Sequence, residues 1–185
     1  MRDQQPNPRA LRIEPLCKAS ASLQGSWPLV GLQRLSEGFA AVADGSAHWT
    51  LKASTRAVAG GAAQLWVHLS ATALVPLQCQ RCLAPMAEHL QVDRAIRFVH
   101  GEDLAARLDE ETDEDVLNLP AALDLQVLVE DELILALPIV PRHAGPCPQP
   151  LLPDLAISEA PPAAASDKPH PFAALAALKR HGGGP

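Results

Sequence analysis

Three successive runs of alternating residues constrain this chain more than anything else in it. From Ala47 to Ala57, Trp49, Leu51, Ala53 and Thr55 fall on one side, and His48, Thr50, Lys52, Ser54 and Arg56 on the other. From Gln64 to Cys79 the apolar side is Leu65, Val67, Leu69, Ala71, Ala73, Val75 and Leu77. From Met86 to Val99 it is Leu90, Val92, Ile96 and Phe98, interrupted by Arg94. A period of two marks half-buried strands, and the short connections, with Gly60-Gly61 as the first turn, predict an antiparallel meander. Pro76 cannot donate to a ladder, so the second strand is expected to be bulged or at an edge there. Ser22 to Trp27 is a candidate further strand, and Pro28 to Glu37 a short helix with Leu29, Leu32 and Leu35 on one side and Gly38 as its stop.

The period changes after residue 123. Asp124 is suited to an N-cap, and Leu125 to Leu137 runs without a breaker to Pro138. Leu125, Leu128, Val129, Leu133, Ala136 and Leu137 form its apolar stripe, on which Glu132 alone of Glu130, Asp131 and Glu132 intrudes. One main helix laid on the apolar face of the meander gives an α+β fold, barrel-like if the sheet closes, followed by a flexible C-terminal tail. The expected organisation is one β-rich domain over residues 1–147, a Pro/Ala-rich linker over 148–169 and a short helical motif with a frayed end over 170–185. In that motif Phe172, Leu175 and Leu178 share an edge, with Lys179 beside them. A helix this short does not hold in water alone, so it is expected to recognise a partner.

Charge placement narrows the function. The chain carries 15 Lys+Arg against 21 Asp+Glu, a formal net charge of −6. Most of the excess lies between Glu102 and Asp115, where Arg107 is the one base. Asp109, Glu110, Glu111, Asp113, Glu114 and Asp115 are read either as a solvated loop or as a contact for a cationic partner such as a basic ribosomal protein. No basic stripe appears, Tyr is absent and Phe is scarce, so contact with rRNA is expected to be indirect. Residues 1–15 are charged and the longest apolar run, Leu133 to Pro141, is too short for a membrane span. A cytoplasmic protein with reduced thiols and no membrane partner is expected.

Cysteine spacing carries the clearest chemistry. Cys79-Gln80-Arg81-Cys82 falls between two strands, where a turn can aim two thiolates at one zinc ion. His143 and Cys147, just past the main helix, offer the two ligands a closed site still needs. Ordinary reduced thiols in a hairpin remain the alternative. A thioredoxin-type motif is disfavoured, because Leu83-Ala84-Pro85 leads into another strand rather than a helix. The sequence holds no G-x-S-x-G, G-x-G-x-x-G or H-E-x-x-H, and no catalytic residue is assigned.

Three segments then carry a family resemblance: Val75-Pro-Leu-Gln-Cys-Gln-Arg-Cys-Leu83; Leu128 to His143, with its Val-Glu-Asp-Glu-Leu core; and Pro171-Phe-Ala-Ala-Leu-Ala-Ala-Leu-Lys179. In this order they resemble the YceD family of large ribosomal RNA subunit accumulation proteins. The resemblance implies a bacterial, non-enzymatic factor needed for 23S rRNA accumulation and large-subunit assembly, acting through protein contacts on the large-subunit precursor. Cys79 and Cys82 match the family's C-x2-C, and His143 and Cys147 fit the place of its later His and Cys. A zinc-stabilised enzyme acting on rRNA is the alternative reading.

Overall fold

A computed structural model describes residues 6–41 and 43–148. Its elements, in chain order, are α1 (Ile13–Lys18), β1 (Ser22–Pro28), a single 3-10 turn (Leu29–Gly31), α2 (Gln33–Ser36), β2 (Ser46–Arg56), β3 (Gln64–Gln78), β4 (Pro85–Val99), α3 (Glu102–Glu111), β5 (Asp115–Asn118) and α4 (Leu125–Leu135). The five strands form one sheet in the order β1-β2-β3-β4-β5. The first four are antiparallel, while β5 lies parallel to β4. The meander expected from the alternation is therefore present, but the sheet is mixed and open rather than barrel-like. A parallel neighbour needs a crossover, and α3 supplies it.

The core lies on one face of the sheet. Leu51, Val67, Leu69, Val75, Leu90 and Ile96 are buried there against Leu11 and Ile13, the three leucines Leu29, Leu32 and Leu35, and Leu125, Val129 and Leu133 of α4. The helix expected over Pro28 to Glu37 is broken into the 3-10 turn and α2, yet all three of its leucines point inward. Two close fits set the sheet's first pairing. Trp27 stacks on Trp49 with ring centroids 4.8 Å apart. The Trp49 ring also lies so near Gly25 that a Cβ there would sit 2.6 Å from its Cζ2. Pro76 is tolerated because β3 outruns β2: the β2 pairing stops at Thr72, and the Pro76 carbonyl on that side accepts instead from the Ala40 N–H at 2.8 Å.

The main helix starts as expected. The Asp124 side chain accepts from the N–H groups of Gln126 and Val127, while paired bonds between Leu11 and Leu123 fix the approach. Its acidic trio is used differently from expectation. Glu130, not Glu132, is the buried member, because its carboxylate accepts from the backbone N–H groups of Arg34 and Leu35 and from the Arg34 guanidinium. It thus caps the first turn of α2, a role whose partners lie almost a hundred residues away. Asp131 holds the other branch of Arg34 at 2.5 Å. Glu132 meets Arg94, the residue that interrupts the apolar side of β4, and Arg94 also reaches Asp115. Burial raises the pKa of Glu132, a rise that Arg94 opposes.

The acidic segment is not a loop. Glu102–Glu111 is helical because Leu104, Ala105 and Leu108 give it an apolar side, with Ala105 buried and the helix packed along β5. Three of the six acids expected to meet a partner are engaged within the fold: Asp109 accepts from the Val116 N–H, Glu114 pairs with Arg97, and Asp115 with Arg94. Glu111 pairs with Arg107 on the helix surface, while Glu110 and Asp113 are exposed.

Candidate metal centre

The site is assembled by two elements that the sequence keeps far apart. β3 and β4 extend past the rest of the sheet as a two-stranded arm whose tip is Cys79 to Ala84. The tip is closed on itself by the Cys79 N–H donating to the Ala84 carbonyl and the Leu83 N–H donating to the Cys79 carbonyl. That reversal places Leu83 at φ 59°, in the left-handed region. Cys79 and Cys82 are thereby both buried, at 0% and 6% exposure. The other half is the segment after α4. Leaving the helix at Leu135, the chain passes Pro138 and Pro141 and meets the tip, where the Gln80 N–H donates to the Pro141 carbonyl at 2.8 Å. The next six residues, Arg142 to Cys147, bring His143 and Cys147 over the thiol pair.

All four sequence-predicted ligands converge. The Cys79 and Cys147 sulfurs are 3.9 Å apart. His143 Nδ1 is 3.6 Å from the Cys82 sulfur and 3.7 Å from that of Cys147. The four donor atoms lie within 4.8 Å of one another. Around a tetrahedral zinc ion, with bonds of about 2.3 Å to sulfur and 2.0 Å to nitrogen, two sulfurs stand about 3.8 Å apart and a sulfur and a nitrogen about 3.5 Å. These three separations stand close to those such an ion requires, and the cluster could hold a metal ion.

Arg81, inside the C-x2-C, was not singled out by the sequence. Its Nε donates to the Cys147 sulfur at 2.9 Å and its Nη2 to the Gly145 carbonyl, tying the second half of the site to the first. Its contact with Cys147 raises the pKa of the guanidinium. Burial opposes ionisation of Cys79, but the hydrogen bonds it receives from backbone groups of His143, Arg81 and Cys82 outweigh that and bring its thiol down to about 5. Burial raises the Cys82 pKa, and the neighbouring sulfurs of Cys147 and Cys79 add to the rise despite a backbone hydrogen bond from Ala84. Together the sulfurs take on a first negative charge readily and resist a second. A divalent cation would neutralise such a group.

The remaining candidates separate from this centre. Cys17 is buried and donates to the Trp66 carbonyl. His48, His68 and His89 lie on the opposite face of the sheet, at different registers, and His68 pairs with Asp93. Phe172, Leu175, Leu178 and Lys179 lie outside the described residues, as do the 170–185 motif and all of the 148–169 linker but Pro148. Among the described residues no helix is long and apolar enough to cross a membrane.

Comparison with known proteins gives the site a context. Residues 67–179 match the family described as "Large ribosomal RNA subunit accumulation protein YceD", a span that starts in β3 and takes in the whole centre. The large ribosomal RNA subunit accumulation protein YceD of Haemophilus influenzae is 38% identical over 106 residues, which is 57% of this chain and 60% of that protein's length. No solved structure matches the chain.

Proposed function

The chain belongs to the YceD family of large ribosomal RNA subunit accumulation proteins, and from that membership we propose that it is a non-enzymatic factor in large-subunit biogenesis, required for 23S rRNA to accumulate. The observation that carries the non-enzymatic reading is the donor set. Cys79, Cys82, His143 and Cys147 supply four ligands from the protein itself. A zinc ion held by all four has no open position for water or substrate, which is the mark of a structural rather than a catalytic site. In this reading zinc fastens the arm of β3 and β4 to the end of α4. The competing reading, a zinc enzyme acting on rRNA, would need one of these donors to leave.

The factor acts through contacts with the large-subunit precursor or a basic ribosomal protein. Glu110 and Asp113, with Glu102 and Asp103 at the start of α3, are the exposed acids for such a contact. Phe172, Leu175, Leu178 and Lys179 have the apolar spacing for a second one.

The test is replacement in cells lacking the native protein. The wild-type chain is expected to restore 23S rRNA and large-subunit particles. A chain with Cys82→Ser is expected to restore them poorly even when its level is matched. Normal 23S rRNA in the cells lacking the protein would remove the reading. Cleavage of rRNA by the purified zinc-loaded protein would favour the enzyme.

A further inference from the structure

Among the described residues the face of the sheet opposite the core is open over much of β1, β2 and β3, up to the buried Trp66, and its chemistry is one-sided. Paired residues on antiparallel strands share a face, so the register fixes its rows: Ser26, His48 and Thr72; Gln24, Thr50 and Ser70; Ser22, Lys52 and His68. Every one of these side chains can donate a hydrogen bond. None of the three strands contains an Asp or a Glu, in a chain with 21 of them. Gln24, His48, Thr50, Ser70 and Thr72 line a shallow depression of about 470 Å³.

Two cations of β2 add charge to this face. Lys18, Arg34, Arg94, Arg97 and Arg107 are each paired with a carboxylate. Lys52 and Arg56, like Arg9, Arg12, Arg81 and Arg142, have no carboxylate partner among the described residues; both are exposed, and Arg56 lies over the Trp66 ring at 3.7 Å. Asp93 on β4, opposite Ser70, is the exposed carboxylate that borders these rows, and it pairs with His68. The face therefore presents donors and unpaired positive charge at the strand repeat, about 6.7 Å along and about 4.8 Å across.

We propose that this face binds RNA through its phosphate backbone. Rows of donors and cations on three strands that carry no carboxylate complement a polymer that offers phosphate oxygens and 2′-hydroxyls at every residue. The Trp66 ring is covered by Arg56 rather than free to stack, so binding is independent of base sequence. The inference goes beyond the reading above and does not depend on the metal centre. It places direct RNA contact on a protein whose sequence shows no basic run, because the face is built from alternate positions of three strands.

The experiment is titration of the full chain with a fluorescein-labelled oligouridine RNA across a series of salt concentrations. The wild-type protein is expected to bind, with affinity falling as salt rises. Lys52→Gln with Arg56→Gln is expected to weaken binding roughly tenfold and to flatten the logarithmic salt slope by about 1.4, the contribution of two phosphate contacts on a single strand. His48→Glu, on an exposed residue in the same depression, is expected to weaken it as well, and Lys18→Gln, on a paired cation away from the face, to leave it unchanged. Unaltered melting curves accompany these variants. No binding at low salt, or an unchanged slope in the double variant, would overturn the proposal. So would competition by polyglutamate as strong as by unlabelled RNA, which would assign the face to an acidic polypeptide.

Discussion

Glu130 holds two backbone N–H groups of a different helix while it is itself only 8% exposed. Removing its carboxylate strands both donors and leaves Arg34 with Asp131 alone. Glu130→Ala is therefore expected to cost about 2–4 kcal/mol, chiefly from the unsatisfied N–H groups. A domain of this size should then melt roughly 6–12 °C lower, read from thermal unfolding by circular dichroism. Glu130→Gln should recover part of the loss, since an amide oxygen can still accept. No pattern in the sequence marks this residue: on the α4 stripe Glu132 intrudes and Glu130 does not, and the reason for its burial sits on α2. The four metal-centre residues are the opposite case. Thiol and imidazole have few roles besides ligation in this arrangement, so their spacing was informative before any contact was known. Arg81 stayed hidden because a charged side chain in a turn reads as solvated.

At the scale of elements, the long strands were legible because alternation over eleven to fifteen residues leaves no other period available. Short elements were not. β5 has four residues and exists by pairing with β4. Helix α3 was masked by its own charge: the acids dominate the segment, while the side that docks consists of Leu104, Ala105 and Leu108. The pairing of β1 with β2 turns on Gly25, which faces Trp49 across the ladder. Gly25→Ala puts a methyl carbon against a rigid ring at 2.6 Å. Alanine restricts the unfolded chain, a gain of about 0.4–1 kcal/mol, but the overpacking costs about 1–3 kcal/mol, so the clash wins. The variant is expected to be less stable in urea and to lose the interaction between Trp27 and Trp49 seen in near-ultraviolet circular dichroism.

For the whole molecule, the α+β class followed from one helix stripe and three strand runs, whereas the open edge could not be read from local periodicity. Closure depends on how many strands pair and in which direction, and the parallel β5 settled that. Zinc at the candidate centre would add a link between the far end of the sheet and the chain beyond α4. The body of the domain has its own core, so loss of zinc is expected to loosen the arm rather than unfold the protein. Purified protein should carry about one equivalent of zinc. Chelation should lower the melting temperature and speed hydrogen exchange selectively at Cys79 to Ala84 and Pro141 to Cys147, with the β2 and β3 amides still protected. Protein isolated without chelator and free of metal would contradict this, as would uniform exchange after chelation.

The centre joins Cys79 to Cys147, 68 positions later in the chain. β4, α3, β5 and α4 all lie inside that loop. Bringing its ends together costs entropy that rises only as the logarithm of its length, so the wide span adds little to the equilibrium cost. Its effect falls on order in time. During synthesis the two thiols of the turn leave the ribosome well before His143 and Cys147, and no closed four-ligand site can form until the last of these has emerged. A chain cut short between the end of α4 and His143 would hold every strand and the main helix and still expose an unfastened arm, so a closed clasp would report that synthesis has passed Cys147.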